Sequence, residues 1–317
     1  MSKRIGAQTT ALPSCPGLIG WAGIAGQKEK EGPYGAKFDW IIPDELNGEQ
    51  SFEGAERAML EQAVVLCAEK AGTRLNEIQM LLAGDLLNQI ISAGFAARNL
   101  GIPFYGLYGA CSTMSESLSV GGMLADGGFA DRLICATCSH FCTAERQFRT
   151  PLEYGSQRAP TAQWTATASG SAVLGMSGDI QVRHATVGRI TDLGVTDMTN
   201  MGAAMAPAAA QTLLDFFNDT ATKPEDYDRI YTGDLGAVGT KLLYELLREN
   251  GIGLRNHEDC GLILFDREAQ DVHAGGSGCG CSAGVLCGHI LNRMDRGELK
   301  NILFMACLLY TSPSPRD

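Results

Sequence analysis

The chain has 317 residues, 45% of them hydrophobic, with 39 Gly and a net charge of −11 from 36 acidic and 25 basic side chains. It can bury a sizeable core in one large or two ordinary domains, is too apolar to be disordered, and is too acidic for a nucleic-acid partner to be expected. Eleven Cys are spread along it with no secretory leader, so free thiols in a reducing compartment are expected, and no run of about 20 apolar residues predicts a transmembrane helix.

Taken in order, Gly17, Gly20, Gly23 and Gly26 recur every three residues and read as a close-packed strand and turn. The run has no Gly-Lys-Ser/Thr, and nothing in it has the pattern of a dinucleotide site. Lys28-Glu-Lys-Glu31 reads as a solvated charged stretch. A helix is predicted over 55–71, with Glu53, Glu56 and Glu61 near its start, where carboxylates suit the dipole. The apolar run Met80-Leu-Leu-Ala-Gly-Asp-Leu-Leu87 reads as a buried strand ending in Asp85, followed by a helix to Leu100. Asp85 either caps that helix or faces the ligand crevice at the carboxyl end of a sheet.

YGACSTMSESLSVGGMLA, 108–125, is the stretch the chain is built around. It puts Cys111 and Ser112 at a loop-to-helix junction and predicts a helix to Leu124. Free N–H groups at a helix start favour a thiolate, which is where a nucleophile would be placed; the other reading is a small residue packed in a tight turn. Cys135, Cys138, His140 and Cys142 invite a metal reading, but a strand sends Cys135 to the opposite face from the rest, so no metal is expected. Glu145, Arg146, Arg149, Glu153 and Arg158 form a polar loop, either a solvated face or a rim over an anion. Residues 168–176 read as a buried strand, 180–190 as an alternating strand, and 192–207 as a small-residue loop between two halves.

The second half repeats the first: a helix over 206–218, the run RIYTGDLG with Asp234, a helix to Asn250, then a strand predicted over 262–265. Gly278-Cys-Gly-Cys-Ser282 and a helix to Met294 follow, then the apolar run ILFMA. Gly84-Asp85-Leu86 matches Gly233-Asp234-Leu235 in place and in sequence, which implies a duplicated α/β unit with pseudo-twofold symmetry. His257 and Asp259 either orient a ligand or form a surface turn. The glycines around Cys279 and Cys281 let backbone N–H groups approach a substrate oxygen, and a disulfide between those two is disfavoured by the single intervening residue.

Duplicated halves with a Cys at the start of the central helix resemble the thiolase-like superfamily. More closely, LLAGDLLNQ (81–89), YGACST (108–113), TVGRITDLG (186–194), HEDCGLI (257–263) and AGGSGCGCSA (274–283) resemble the stage V sporulation AD family. The resemblance implies a duplicated, five-layered αβαβα fold with pseudo-twofold related halves, 1–178 and 179–306, and leaves 307–317 as a tail expected to be non-native. It implies a homodimer, no cofactor, and a peripheral place on the cytoplasmic side of the forespore inner membrane. There the chain would join other proteins of the sporulation channel and bind dipicolinic acid or its calcium complex. Candidate ligand-binding residues are Cys111, Ser112, Asp85, His140, Asp234, His257, Gly278, Cys279 and Cys281, with Arg or His side chains expected as donors. Cys111 falls at the superfamily's nucleophile position, so a Cys-dependent acyltransferase is the alternative, although neither Thr232-Gly-Asp-Leu235 nor the Gly278 loop carries the His or Asn partner of such enzymes.

Overall fold

The glycine-spaced run folds as the long strand Gly17–Ala25, which starts a mixed seven-stranded sheet. The computed structural model describes residues 3–148, 158–197 and 199–306. The sheet runs in the order Trp40–Ile41, Gly17–Ala25, Ala168–Gly175, Arg132–Ser139, Met80–Gly84, Phe104–Gly106, with Ile180–Gln181 also paired to Gly17–Ala25. Ala168–Gly175 is antiparallel to both neighbours, whereas Arg132–Ser139, Met80–Gly84 and Phe104–Gly106 are mutually parallel. All eight residues of Ala168–Gly175 are buried, which its run of Ala, Ser and Gly permits because helices pack on both of its faces.

The second sheet has three parallel strands among the described residues, in the order His257–Asp259, Arg229–Thr232, Ile302–Met305. Arg229–Thr232 therefore occupies the place that Met80–Gly84 holds in the first sheet, at the centre of a parallel trio. The helices Thr113–Asp126 and Cys279–Val285 lie between the sheets, Phe52–Lys70 and Ile91–Leu100 cover the first, and Met201–Thr220 and Gly236–Glu249 cover the second. Three apolar cores fill the gaps between these layers. One runs between the sheets through Leu82, Met114, Tyr231 and Val285; one lies under Phe52–Lys70; one lies under Met201–Thr220. This is the layered αβαβα arrangement.

Four local readings are corrected. Residues 262–265 do not form a strand: the segment Cys260–Ile263 is helical, because Asp259 accepts the Leu262 N–H at 3.2 Å and caps a turn there. The stretch 180–190 is strand only at Ile180–Gln181 and His184–Thr186; beyond Thr186 the chain leaves the sheet and Arg189 pairs with Asp215. The helix read to Met294 is interrupted by a π turn at Leu286–Ile290. Glu29 is not solvated but 1% exposed, one oxygen accepting the Thr167 N–H at 3.0 Å. The tail 307–317, Arg149 and Glu153 lie outside the described residues.

Candidate functional site

Cys111 sits where the chain turns from the edge strand Phe104–Gly106 into the helix Thr113–Asp126. The turn is held at Ala110, whose φ of 40° lies in the left-handed region that a Cβ disfavours. Two hydroxyls pin it: Ser112 Oγ donates to Gly109 O and Thr113 Oγ1 to Ala110 O, both at 2.8 Å. Ser112 thus spends its side chain on the turn. Cys111 is left only 8% exposed, facing the second half.

That half presents a loop through which glycine is needed twice. Gly278 has φ 94°, and a Cβ on Gly280 would come within 2.3 Å of Ala168 O. Gly280 N–H donates to Ser139 Oγ at 3.1 Å, and the Cys279 thiol donates to Cys138 O at 2.9 Å. The loop is therefore sewn to the end of the first sheet. Cys279 and Cys281 both lie close enough to the Cys111 thiol to influence it electrostatically, and every described cysteine is free.

Asp234 closes the arrangement. It is 1% exposed; Oδ2 accepts from Gly278 N–H at 2.8 Å and from Ser277 Oγ at 3.4 Å. Oδ1 is buried and has no N–H or O–H donor among the described residues; the remaining neighbour of the carboxyl is the Cys111 thiol. The cap of the following helix is supplied instead by Asp259, which accepts from Leu235 N–H at 2.9 Å, Gly236 N–H at 3.0 Å and Thr232 Oγ1 at 2.6 Å.

Burial sets the protonation states here. It pushes the Asp234 carboxyl up to about 7, against the hydrogen bonds from Cys111 and Gly278. It pushes the Cys111 thiol well above its ordinary value, and the Asp234 charge pushes it further. Of the two readings of Cys111, desolvation and a facing carboxyl favour the thiol over a thiolate, against the N–H groups of the turn.

The two candidate histidines are elsewhere. His140 Nδ1 accepts from Cys142 N–H at 3.1 Å, which leaves Nε2 as the donor to Glu45 O at 2.9 Å. His257 is bound between Thr232 Oγ1 and Tyr244 OH, each at 2.9 Å, and burial lowers it to about 4. The other three of the five are also committed away from Cys111: His184 packs against Phe216, His273 faces Asp271, and His289 stacks on Tyr34. Ligand atoms of Glu45, His140 and Cys142 come within 4.8 Å of one another. A cation there would have to break one of the two bonds that occupy the imidazole, and burial pushes the Cys142 thiol up to about 11.

Asp85 is a cap. Its oxygens accept from Leu87 N–H at 2.8 Å and Ala93 N–H at 2.7 Å. Its charge bears on Glu56, which is not a surface carboxylate at a helix start but a buried one, accepting from Thr143 Oγ1 at 2.5 Å. Both carboxyls also bear on the Cys279 thiol. The polar loop is partly engaged: Arg146 pairs with Glu53 at 3.3 Å, and Arg158 donates to Gln163 O while lying 4.8 Å over the Trp164 ring. The structure therefore gathers Cys111, Asp234, Gly278, Cys279 and Cys281 at one point, places Asp85 behind them, and leaves Ser112, His140 and His257 to structural bonds. Gln163, whose Nε2 donates to both Asp234 O and Gly276 O at 2.7 Å, and Ser139 complete the frame. Neither sits in a pattern of its own in the sequence.

The sequence model of the stage V sporulation protein AD family matches residues 6–314. Stage V sporulation protein AD of Bacillus subtilis (strain 168) is 45% identical over 316 residues, covering 98% of this chain and 93% of that protein. Among solved structures, cerulenin-bound OleA of Xanthomonas campestris superposes with a TM-score of 0.63 at 12% identity, covering 93% of both chains. The 3-oxoacyl-[acyl-carrier-protein] synthase III of Aquifex aeolicus does so with a TM-score of 0.57 at 12% identity, covering 92% of this chain and 95% of that one. At such identities the structural likeness speaks for the thiolase-like fold alone.

Proposed function

The chain belongs to the stage V sporulation protein AD family, which gives it a role in sporulation, and on that premise we propose that it binds dipicolinic acid at the Cys111 site without turning it over. In this reading it assists uptake of the acid, with calcium, into the forespore, as a peripheral member of a membrane transport system on the cytoplasmic side. No helix of the described residues is long and apolar enough to cross a membrane, so contact with the bilayer would run through partners or the surface.

The observation that carries binding over acyl transfer is the partner of Cys111. Cysteine acyl transfer needs a thiolate, an imidazole or equivalent to move the proton, and donors aimed at the oxyanion. Here burial and the facing Asp234 carboxyl raise the thiol well above its ordinary value, and all five histidines are bonded or packed away from it. A second copy of the chain is the partner we propose along the edge of the first sheet, where one side of Phe104–Gly106 is unpaired among the described residues and Tyr105, Tyr108, Ile91 and Phe95 are exposed.

Calorimetric titration of dipicolinic acid, with calcium present, tests the reading. Saturable binding to the wild type, weakened but not abolished in Cys111→Ala, is the expected result. No binding to the wild type would overturn it.

A further inference from the structure

The strand His257–Asp259 sets a polar row on the outer face of the second sheet. His257 and Asp259 are two residues apart and so share a face, and the register puts Ile230 beside His257 and Thr232 beside Asp259. Ile230 belongs to the core under Met201–Thr220, whereas its neighbour Tyr231 belongs to the core between the sheets, so the row lies on the side away from that inner core. The helix Gly236–Glu249 brings the Tyr244 ring edge-on to the imidazole, with centroids 5.4 Å apart.

Four side chains then form one hydrogen-bonded row from the surface inward. Tyr244 OH meets His257 Nδ1 at 2.9 Å, His257 Nε2 meets Thr232 Oγ1 at 2.9 Å, and Thr232 Oγ1 meets Asp259 Oδ2 at 2.6 Å. Tyr244, at the outer end, is 40% exposed; Asp259, at the inner end, is 1% exposed. The row has a direction. A threonine hydroxyl has one proton, and here it goes to the carboxylate, so Thr232 accepts from His257 Nε2–H. Nδ1 therefore carries the lone pair, and Tyr244 donates to it. Burial holds the imidazole neutral, lowering it to about 4, so the ring carries a single proton.

We propose that Tyr244, His257 and Thr232 form a proton inlet through which Asp259 exchanges with solvent from the outer face, whatever the Cys111 site takes. Uptake of one proton is four linked transfers. A solvent proton goes to the Tyr244 oxygen as that hydroxyl's own proton passes to His257 Nδ1. The Nε2 proton passes to Thr232 Oγ1 as the Thr232 proton passes to Asp259 Oδ2. One proton has then entered, Asp259 is neutral, and every bond in the row is reversed: Asp259 donates to Thr232, Thr232 to Nε2, and Nδ1–H to Tyr244. The imidazole ends neutral, as the opposite tautomer. The cap survives the change, because Asp259 still faces the N–H groups of Leu235, Gly236 and Leu262 at 2.9, 3.0 and 3.2 Å. The titratable groups that bear on the inner end are Asp234 and the thiols of Cys260 and Cys281, with no Lys or Arg among the main influences on Asp259. The Asp259 charge raises Asp234, so the inlet acts on the carboxyl that faces Cys111 without opening the gap between the halves.

Nitrogen NMR of the His257 ring in the full chain tests this, because it reads which nitrogen bears the proton. With Asp259 ionised, the wild type should hold the proton on Nε2. On acidification it should pass to Nδ1 in step with loss of the Asp259 carboxylate band in the infrared, identified as the band missing from Asp259→Asn. A ring that carries its proton on Nδ1 while Asp259 is ionised, or that goes from the Nε2 form straight to the doubly protonated form, would overturn the proposal. Thr232→Val should cut the row and abolish the tautomer change, and Thr232→Ser should restore it; a change that persists in Thr232→Val would overturn it. The exposed end gives a readout that does not depend on a buried substitution. After a downward pH jump, Asp259 should take its proton at least about tenfold more slowly in Tyr244→Phe than in the wild type. Equal rates would mean that the proton enters by another way.

Discussion

Gly84-Asp85-Leu86 and Gly233-Asp234-Leu235 stand at the same place in the two halves, each after the central strand of a parallel trio. Asp85 turns both oxygens back onto the chain that follows it, at Leu87 and Ala93. Asp234 turns away from its own helix, towards Gly278 and Cys111, and Asp259 on the neighbouring strand caps Leu235 and Gly236 in its stead. The same tripeptide thus holds a helix in one half and shapes a site in the other. What decides between the two is whether a second carboxylate is within reach of the helix start: the second half has one at the end of His257–Asp259 and the first half has none in the matching strand, Phe104–Gly106.

The largest effects should fall on the capping residues. Asp85→Ala and Asp259→Ala each strand two or more buried donors and should lower the unfolding free energy by about 2–4 kcal/mol. Asp234→Asn keeps an oxygen for Gly278 N–H and should change it by less than about 1 kcal/mol. Urea denaturation of the three variants checks this; an Asp234→Asn loss as large as that of Asp85→Ala would erase the distinction between the two copies.

Next comes pH. Burial raises Asp85 to about 6, Asp234 to about 7 and Glu29 to about 8. Folded-state values above the unfolded ones mean that the stability they contribute is complete in acid and is lost as pH rises through each folded value. Each group should contribute a slope of roughly 1.4 kcal/mol per pH unit where only the folded state holds its proton. Below about pH 6.5 the buried histidines, with His257 and His289 lowered to about 4, offset this with the opposite slope; between about pH 6.5 and about pH 8 the melting temperature of the free protein should therefore fall, and Glu29→Gln should flatten that fall. A melting temperature that rises between about pH 6.5 and about pH 8 would contradict the burial of Asp234 and Glu29 in acid form.

The fold was legible because its repeat is long: two copies of strand, Gly-Asp-Leu, helix and Cys-bearing loop in the same order leave little choice of topology. The coming together of Cys111, Gly278 and Cys279 was legible for the same reason. His140 and His257 lie away from that point, bonded to Glu45 and Cys142 and to Thr232 and Tyr244; both sit next to strand ends, where one residue's difference in direction decides which face a side chain takes. Glu29 and Glu56 were misread because a carboxylate beside lysines or at a helix start looks solvated; only the packing of Thr167 and Thr143 against them reveals burial. The exchange of roles between Asp234 and Asp259 depends on a contact between residues 24 apart.

The smallest effect sharpens the same contrast at the thiol. Cys15 and Cys142 are half-buried and should be alkylated by iodoacetamide at neutral pH well before Cys111. Asp234→Asn removes the charge that raises Cys111 and should speed its alkylation by about three- to tenfold; Asp85→Asn should leave the rate alone. Peptide mapping by mass spectrometry reads both, and equal rates in the two variants would mean that Asp234 does not govern the thiol.

The central claim is that Cys111 lies in a binding site and not in an acyl-transfer site. Intact-protein mass spectrometry after incubation with acyl-CoA tests it most directly. The account predicts an unchanged mass for the wild type. An added acyl mass that vanishes in Cys111→Ala would contradict it and make this fold, here too, the seat of a thioester.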